Sequence, residues 1–237
     1  MKVSASSNNL FQLTAFGIMN CYLVREDDGF TLIDTTLGSQ VKPIIQEAQK
    51  LGLPIVRILL THAHSDHVGA LDKLHDALPS AQIAISERDA RFLYGDQSLD
   101  PSEPQVPPRG IYPICKTKPT LLLREGDRIG SLEVIATAGH TPGHLAFLDT
   151  RDRAVIAGDA IQTLGGVAVA GTFKVLFPLP ALFTWHKGLA LQSARKLLAL
   201  QPSLLAIGHG RVLSNPLMAM ERAIRELEQS LAKEKRV

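Results

Sequence analysis

Cysteine is scarce in this chain. Only Cys21 and Cys115 occur, far apart in the sequence, so a disulfide framework of the secreted type is not expected and a reduced, cytosolic setting is the default. Aromatic residues are few as well, at 5% with one Trp. Leu, Ile, Val and Ala supply the apolar share instead, which suits an α/β interior. Charge of one sign is also lacking. The formal net charge is +2 with Lys and Arg scattered, a weak basis for nucleic-acid or membrane partners. The C-terminal "LAKEKRV" includes a Glu and reads as a solvated helix end. Long hydrophobic runs are missing too, since the longest apolar stretch, 165–183, is interrupted by Lys174, Pro178 and Pro180. Those residues argue against a membrane span. The first twenty residues contain no continuous apolar core of signal-peptide type. A soluble, cytoplasmic protein is expected.

What is present is a regular alternation of strand and helix signals. No composition shift or low-complexity tract marks a linker, and the length fits one domain over residues 1–237. "NCYLV" and "GFTLIDT" flank the turn "REDDG", a hairpin pattern. Ser39 is placed to cap a helix running to about residue 51, with Gly52 just beyond its end. "IVRILL" has the β-branched character of a buried strand. A helix over about 67–78 and a strand at "QIAIS" follow. Residues 96–119 hold six prolines and read as an irregular excursion of the kind that often borders a binding site. "SLEVIATAG", "HLAFLDT" and "AVIAGDA" read as strands. They are followed by a helix over about 184–200, a strand at "LLAIG", and a helix starting at Asn215-Pro216. Helices packed on sheets are the implied architecture.

Polar clusters fall just after strands, where α/β proteins place their sites. The densest is "THAHSDH", residues 61–67, which holds three of the eight histidines. In an extended loop, His62 and His64 point to the same side and can chelate one ion together. Asp66 and His67 sit at the start of the next helix, turned towards a neighbouring position. Imidazoles and a carboxylate with no cysteine nearby suit zinc or another divalent metal in an open, catalytic site rather than a closed structural one. His140 in "GHTPGH", Asp159 ending "AVIAGD" and His209 in "GHG" each follow a β-rich run beside glycine. Five His and two Asp are enough for two metal ions with a shared carboxylate.

The set His62, His64, Asp66, His67, His140, Asp159 and His209 resembles the metallo-β-lactamase superfamily, from the early "LIDT" strand to His209. The resemblance implies a four-layer αββα sandwich. It implies that His62, His64 and His140 hold one metal, that Asp66, His67 and His209 hold the other, and that Asp159 bridges them. It implies two divalent ions as cofactor, zinc first, with iron or manganese compatible with the same ligands. Asp34 in "LIDT" matches a position that hydrogen-bonds behind the ligands and orients an imidazole. His144 is read as supporting the site rather than binding metal. His75 and His186 are read as surface residues, Cys21 as a small buried one.

Such a centre implies a hydrolase that uses a metal-bridging hydroxide, because two divalent ions lower the pKa of water from 15.7 towards ~7. Asp66 is the expected proton carrier. An ester, thioester or lactone of a small molecule is the expected substrate, with no nucleic acid and no membrane involved. Asp159 stands where the commonest zinc β-lactamases carry Cys, so the resemblance favours the glyoxalase II and lactonase branch. Glyoxalase II has a long C-terminal helical region, whereas 28 residues follow His209 here. Homoserine lactonases place a Tyr three residues after the bridging Asp, where this chain has Gln162. Phosphodiesterases and mononuclear iron persulfide dioxygenases of the same fold are the alternatives. The dioxygenases usually break the second histidine of "GHTPGH", which His144 retains. The 165–183 segment reads equally as pocket lining and as core. The C-terminal helix and the proline-rich excursion are the surfaces that could carry a homodimer contact.

Overall fold

The computed structural model describes residues 1–234; Lys235, Arg236 and Val237, the end of the basic C-terminal run, lie outside the described residues. By its contacts the chain divides into two units, Met1–Asp96 with Ile111–Leu123, and Gln97–Gly110 with Arg124–Val237.

In the first unit, β1 (Lys2–Ala5), β2 (Leu10–Ala15), β3 (Met19–Glu26) and β4 (Gly29–Ile33) pair antiparallel in order. The hairpin read from "REDDG" is the β3–β4 connection, with Glu26 opposite Gly29. Strand β4 is buried at every position, as an interior strand of mixed sheets requires. Helix α1 (Val41–Lys50) then crosses to β5 (Ile55–Leu59), and β4, β5, β6 (Gln82–Ser86) and β7 (Leu121–Leu123) run parallel to complete a seven-stranded sheet. Leu23, Phe30, Leu32, Ile44, Ile58, Leu74, Ile83 and Phe92 are fully buried in its core. Each such side chain contributes about 1.5–3 kcal/mol of apolar burial.

Several boundaries differ from the sequence expectation. Ser39 does not cap α1: it lies in a 3₁₀ turn, Gly38–Gln40, and no side chain caps the helix. The helix expected over 67–78 is two pieces, α2 (Ser65–Val68) and α3 (Leu71–Ala77). The break falls at Gly69, where a Cβ would lie 2.5 Å from the carbonyl oxygen of Ser65. His75 on α3 is half-buried rather than exposed. After β6, Ser86 caps α4 (Glu87–Leu93) by accepting from the Asp89 N–H. The proline-rich excursion forms no helix or strand before β7.

In the second unit, β8 (Arg128–Ile129), β9 (Leu132–Ala136), β10 (Leu145–Asp149), β11 (Ala154–Ile156), β14 (Leu204–Ala206) and β15 (Leu213–Ser214) form a six-stranded sheet. A small hairpin, β12 (Ile161–Gln162) with β13 (Ala168–Val169), stands apart from it. Helices α5 (Leu179–Leu182), α6 (Lys187–Ala199) and α7 (Leu217–Glu234) complete the unit. Its core joins Val155, Leu205 and Ile207 from the sheet side with Ala194, Leu197, Met220 and Leu227 from the helices. His186 caps α6 by accepting from the Leu189 N–H. Asn215 takes a left-handed φ of +51°, so it is not the helical cap its sequence suggested, and α7 begins at Leu217. Among the described residues no helix is long and apolar enough to cross a membrane.

Candidate metal centre

Asp34 and the histidine loop leave the C-terminal ends of adjacent parallel strands, β4 and β5. The loop is pinned by its backbone. The Thr61 N–H donates to Asp34 Oδ1 at 2.8 Å, the Ala63 N–H to Asp89 Oδ2 at 3.1 Å, and the Ser65 N–H to the Ile111 carbonyl at 2.9 Å. The excursion also lays the Tyr112 ring 4.7 Å from the His64 ring. Burial, with Asp89 nearby, pushes the Tyr112 phenol far up, so it stays neutral.

Proton bookkeeping assigns the tautomers in this unit. The Thr61 hydroxyl gives its one proton to Asp34 Oδ2 (2.8 Å) and therefore accepts from His62 Nδ1 (3.0 Å). His67 Nδ1 lies 2.8 Å from the same Asp34 oxygen and must also carry its hydrogen. Both rings thereby present an unprotonated Nε2. The same-side placement read from the sequence holds, with His62 Nε2 3.1 Å from His64 Nδ1. Asp66, on α2, lies 3.8 Å from His67 Nε2, and its side chain is one-third exposed while the three histidines are buried.

In the second unit, β9 and β11 both run antiparallel to β10, and β14 runs parallel to β11. The turns after β9, β11 and β14 therefore leave one edge of the sheet, carrying His140, Asp159 and His209. Two glycines let the backbone close there. A Cβ on Gly139 (φ +143°) would lie 2.3 Å from the Ala190 nitrogen, and one on Gly210 (φ +111°) 2.3 Å from Thr163 Oγ1.

His140 Nδ1 lies 3.2 Å from the Thr184 hydroxyl, whose proton goes to the Pro180 carbonyl. So His140 Nδ1 is the donor and Nε2 is presented. That Nε2 is 3.4 Å from Asp159 Oδ2, and His209 Nε2 is 3.2 Å from the same oxygen. His144 differs. Its Nε2 accepts from the Asp159 N–H at 3.1 Å, and its Nδ1 donates to Thr137 Oγ1 at 2.8 Å. With both nitrogens used, His144 has none for a metal.

The donor atoms within each unit fit a small cation. Ligand atoms about 2.1 Å from a tetrahedral ion sit roughly 3.4 Å apart. Three of the donor pairs just described are separated by 3.1 to 3.4 Å, and Asp66 and His67 by 3.8 Å. The sequence reading missed Thr61, Asp89, Thr137 and Thr184, which hold the candidate donors or their loops. Thr61 was within sight, since it directly precedes His62 and opens the quoted motif.

A family model described as the metallo-beta-lactamase superfamily matches residues 15–209. The chain belongs to that superfamily. A Bacillus subtilis (strain 168) protein, YobT, is 50% identical over 93% of this chain and 96% of its own. A hydroxyacylglutathione hydrolase of Cereibacter sphaeroides is 31% identical over 73% of this chain, which spans 55% of that enzyme's length. Among solved structures, a Cronobacter sakazakii metallo-β-lactamase with a HARLDQ motif matches with TM-score 0.69 at 18% identity, covering 99% of this chain and 94% of that one. The fold is thus the α/β, αββα metallo-β-lactamase sandwich that the motif order implied.

Proposed function

We propose that this superfamily member is a dinuclear metal-dependent hydrolase that opens an ester, thioester or lactone bond in a small molecule. One observation carries the reading. The imidazoles of His62, His67 and His140 are each held through Nδ1 by Asp34, Thr61 or Thr184, and each presents Nε2, the arrangement of a metal-ligating histidine. In this reading His62, His64 and His140 hold one divalent ion, Asp66, His67 and His209 the other, and Asp159 is shared, zinc being the first choice. When bound, such ions supply Lewis acidity, which lowers the pKa of water towards ~7 and polarises a substrate carbonyl.

The chain's own residues supply the rest. Asp66, the most exposed of the seven, orients the attacking water and carries its proton to the leaving group. Asp34 and Thr184 fix ring orientation, and His144 fixes the backbone of Asp159. The relationship to a hydroxyacylglutathione hydrolase supports thioesters as the first substrates to try.

Elemental mass spectrometry on protein purified without chelators tests the proposal. About two zinc or manganese ions per chain, metal lost in Asp159→Ala, and hydrolysis of simple thioesters or esters that is lost in the same variant are expected. One iron per chain with oxygen uptake on thiol persulfides would replace hydrolysis by oxygen chemistry. Normal turnover in Asp159→Ala would remove the shared-ligand role.

A further inference from the structure

The apolar segment 165–183 does not enter the second unit's core as a whole. Ala168, Val169, Ala170, Phe177 and Ala181 are buried, whereas Phe173, Val175, Leu176, Leu179 and Leu182 stand exposed, Val175 and Leu176 at 84%. Those five side chains, close together in sequence, present on the order of 500 Å² of apolar surface, comparable to the largest apolar patch of a typical monomer, which is often functional. The segment's cation is drawn away from it. Lys174 Nζ lies 2.7 Å from both carboxylate oxygens of Glu226 on α7.

The segment that carries these side chains reaches the candidate metal centre of the same unit through the buried Phe177. The Phe177 ring lies 5.1 Å from the His209 ring. Gln162, three residues after Asp159, donates its amide to the Phe177 carbonyl at 3.5 Å. A Cβ on Gly165 would lie 3.2 Å from Leu176 Cβ, so the turn after β12 passes directly against this stretch.

We infer that Phe173, Val175, Leu176, Leu179 and Leu182 are the recognition surface for an apolar acyl chain of the substrate. This rests on the hydrolase reading and names its substrate class as an acyl ester or acyl thioester of medium chain length. The patch falls short of the ~800 Å² per partner that a stable dimer buries. With Lys174 neutralised by Glu226, it also offers no cation of its own to meet anionic headgroups. An alkyl chain needs neither.

The test uses the full chain with its metals as purified, and linear alkyl carboxylates of four to ten carbons as probes. Binding is read by calorimetry or by the fluorescence of Trp185, which is buried and lies two residues beyond the segment. From butanoate to decanoate the Kd is expected to fall at least about tenfold, since each buried methylene favours binding. In Val175→Ser/Leu176→Ser, both sites being exposed enough to leave the fold intact, that dependence should flatten to about twofold. A Kd independent of chain length, or an equal dependence in the variant, overturns the inference. So does dimerisation, or flotation with anionic vesicles, that the variant loses while chain-length dependence is absent. If the alkyl chains bind as expected but no ester or thioester is hydrolysed, the hydrolase reading fails and the surface stands. If esters of all lengths turn over with equal kcat/KM, the hydrolase reading stands and the acyl surface falls.

Discussion

One carboxylate oxygen of Asp34 lies 2.8 Å from His67 Nδ1 and also 2.8 Å from the Thr61 hydroxyl, which in turn holds His62. A single side chain at the end of β4 thus sets the tautomers of two imidazoles. Asp34→Asn isolates that effect, because Asn tolerates the left-handed backbone that Asp34 adopts at φ +61°. The amide has one acceptor oxygen where the carboxylate has two: if that oxygen meets the Thr61 hydroxyl and His67, its NH2 is set against the Thr61 N–H, and the flipped amide loses the other two bonds. Metal affinity and kcat should fall about 10–100-fold with an unchanged circular-dichroism spectrum. Wild-type metal affinity in this variant would show that Asp34 does not orient the ligands.

His144 is expected to matter for stability as well as rate. Replacing it by Ala leaves the buried Asp159 N–H without an acceptor, which costs about 1–3 kcal/mol. The midpoint of denaturant unfolding should drop accordingly, and Asp159 should lose its alignment. His144→Gln, which returns an acceptor, should recover part of both. If His144→Ala lost bound metal in proportion to a missing ligand while keeping its stability, the supporting role would be wrong.

Asp72 ties α3 to the excursion by accepting from the Lys116 and Thr117 N–H groups at 3.0 and 2.8 Å. Burial opposes its ionisation, but these backbone donors outweigh burial and hold the carboxyl below its ordinary value. A depressed folded pKa stabilises above the unfolded value, near ~4, and the benefit is lost as pH falls through the folded value. Asp72→Asn should therefore cost about 1 kcal/mol at pH 7, after allowing for solvent screening at this half-buried group. The difference from wild type should shrink below pH ~4. A difference that stays constant down to pH ~3 would contradict the assignment.

Neither cysteine should react in the folded protein. Burial, with Asp72 nearby, pushes the Cys115 thiol up to about 11, and burial in the first core pushes Cys21 higher still. At pH 8 the Cys115 thiolate fraction is then on the order of 10⁻³. A disulfide reagent should label both thiols only after denaturation. Fast native labelling of Cys115 would contradict this.

Gln162 stands three residues after Asp159 with its amide on the Phe177 carbonyl and its Oε1 buried without a hydrogen-bond partner. It offers no phenolic O–H where lactonases carry one, so homoserine lactones should be poor substrates. Efficient opening of these lactones at low concentration would overturn that expectation. Gln162→Leu should be close to neutral for stability, since it removes a weak hydrogen bond together with an unmet acceptor.

Much of this protein could be read without coordinates. The hairpin around Asp27, the buried run that became β5 and the strand ahead of Asp159 were legible because their apolar period is local. The seven candidate donors stood out because imidazoles and carboxylates rarely gather after strands without a chemical reason. Helix ends were less so. Ser39 and Asn215 have the side chains of caps, yet one lies in a 3₁₀ turn and the other adopts a left-handed backbone. A cap is decided by the φ and ψ that packing imposes, and residue type only permits it.

By itself the sequence determined the fold family and the order of the candidate donors along the chain, because those depend on which residues occur and on their spacing. The tertiary structure decided which nitrogen His62, His67, His140 and His144 use, through Asp34, which the sequence had suggested, and through Thr61, Thr184 and Thr137, whose hydroxyls are unremarkable in sequence. It also decided that Val175 and Leu176 face outward while Phe177 turns in against His209. Hydrogen-bond partners and burial are set by what packs against a side chain from elsewhere in the chain, and a linear pattern carries no record of that neighbour.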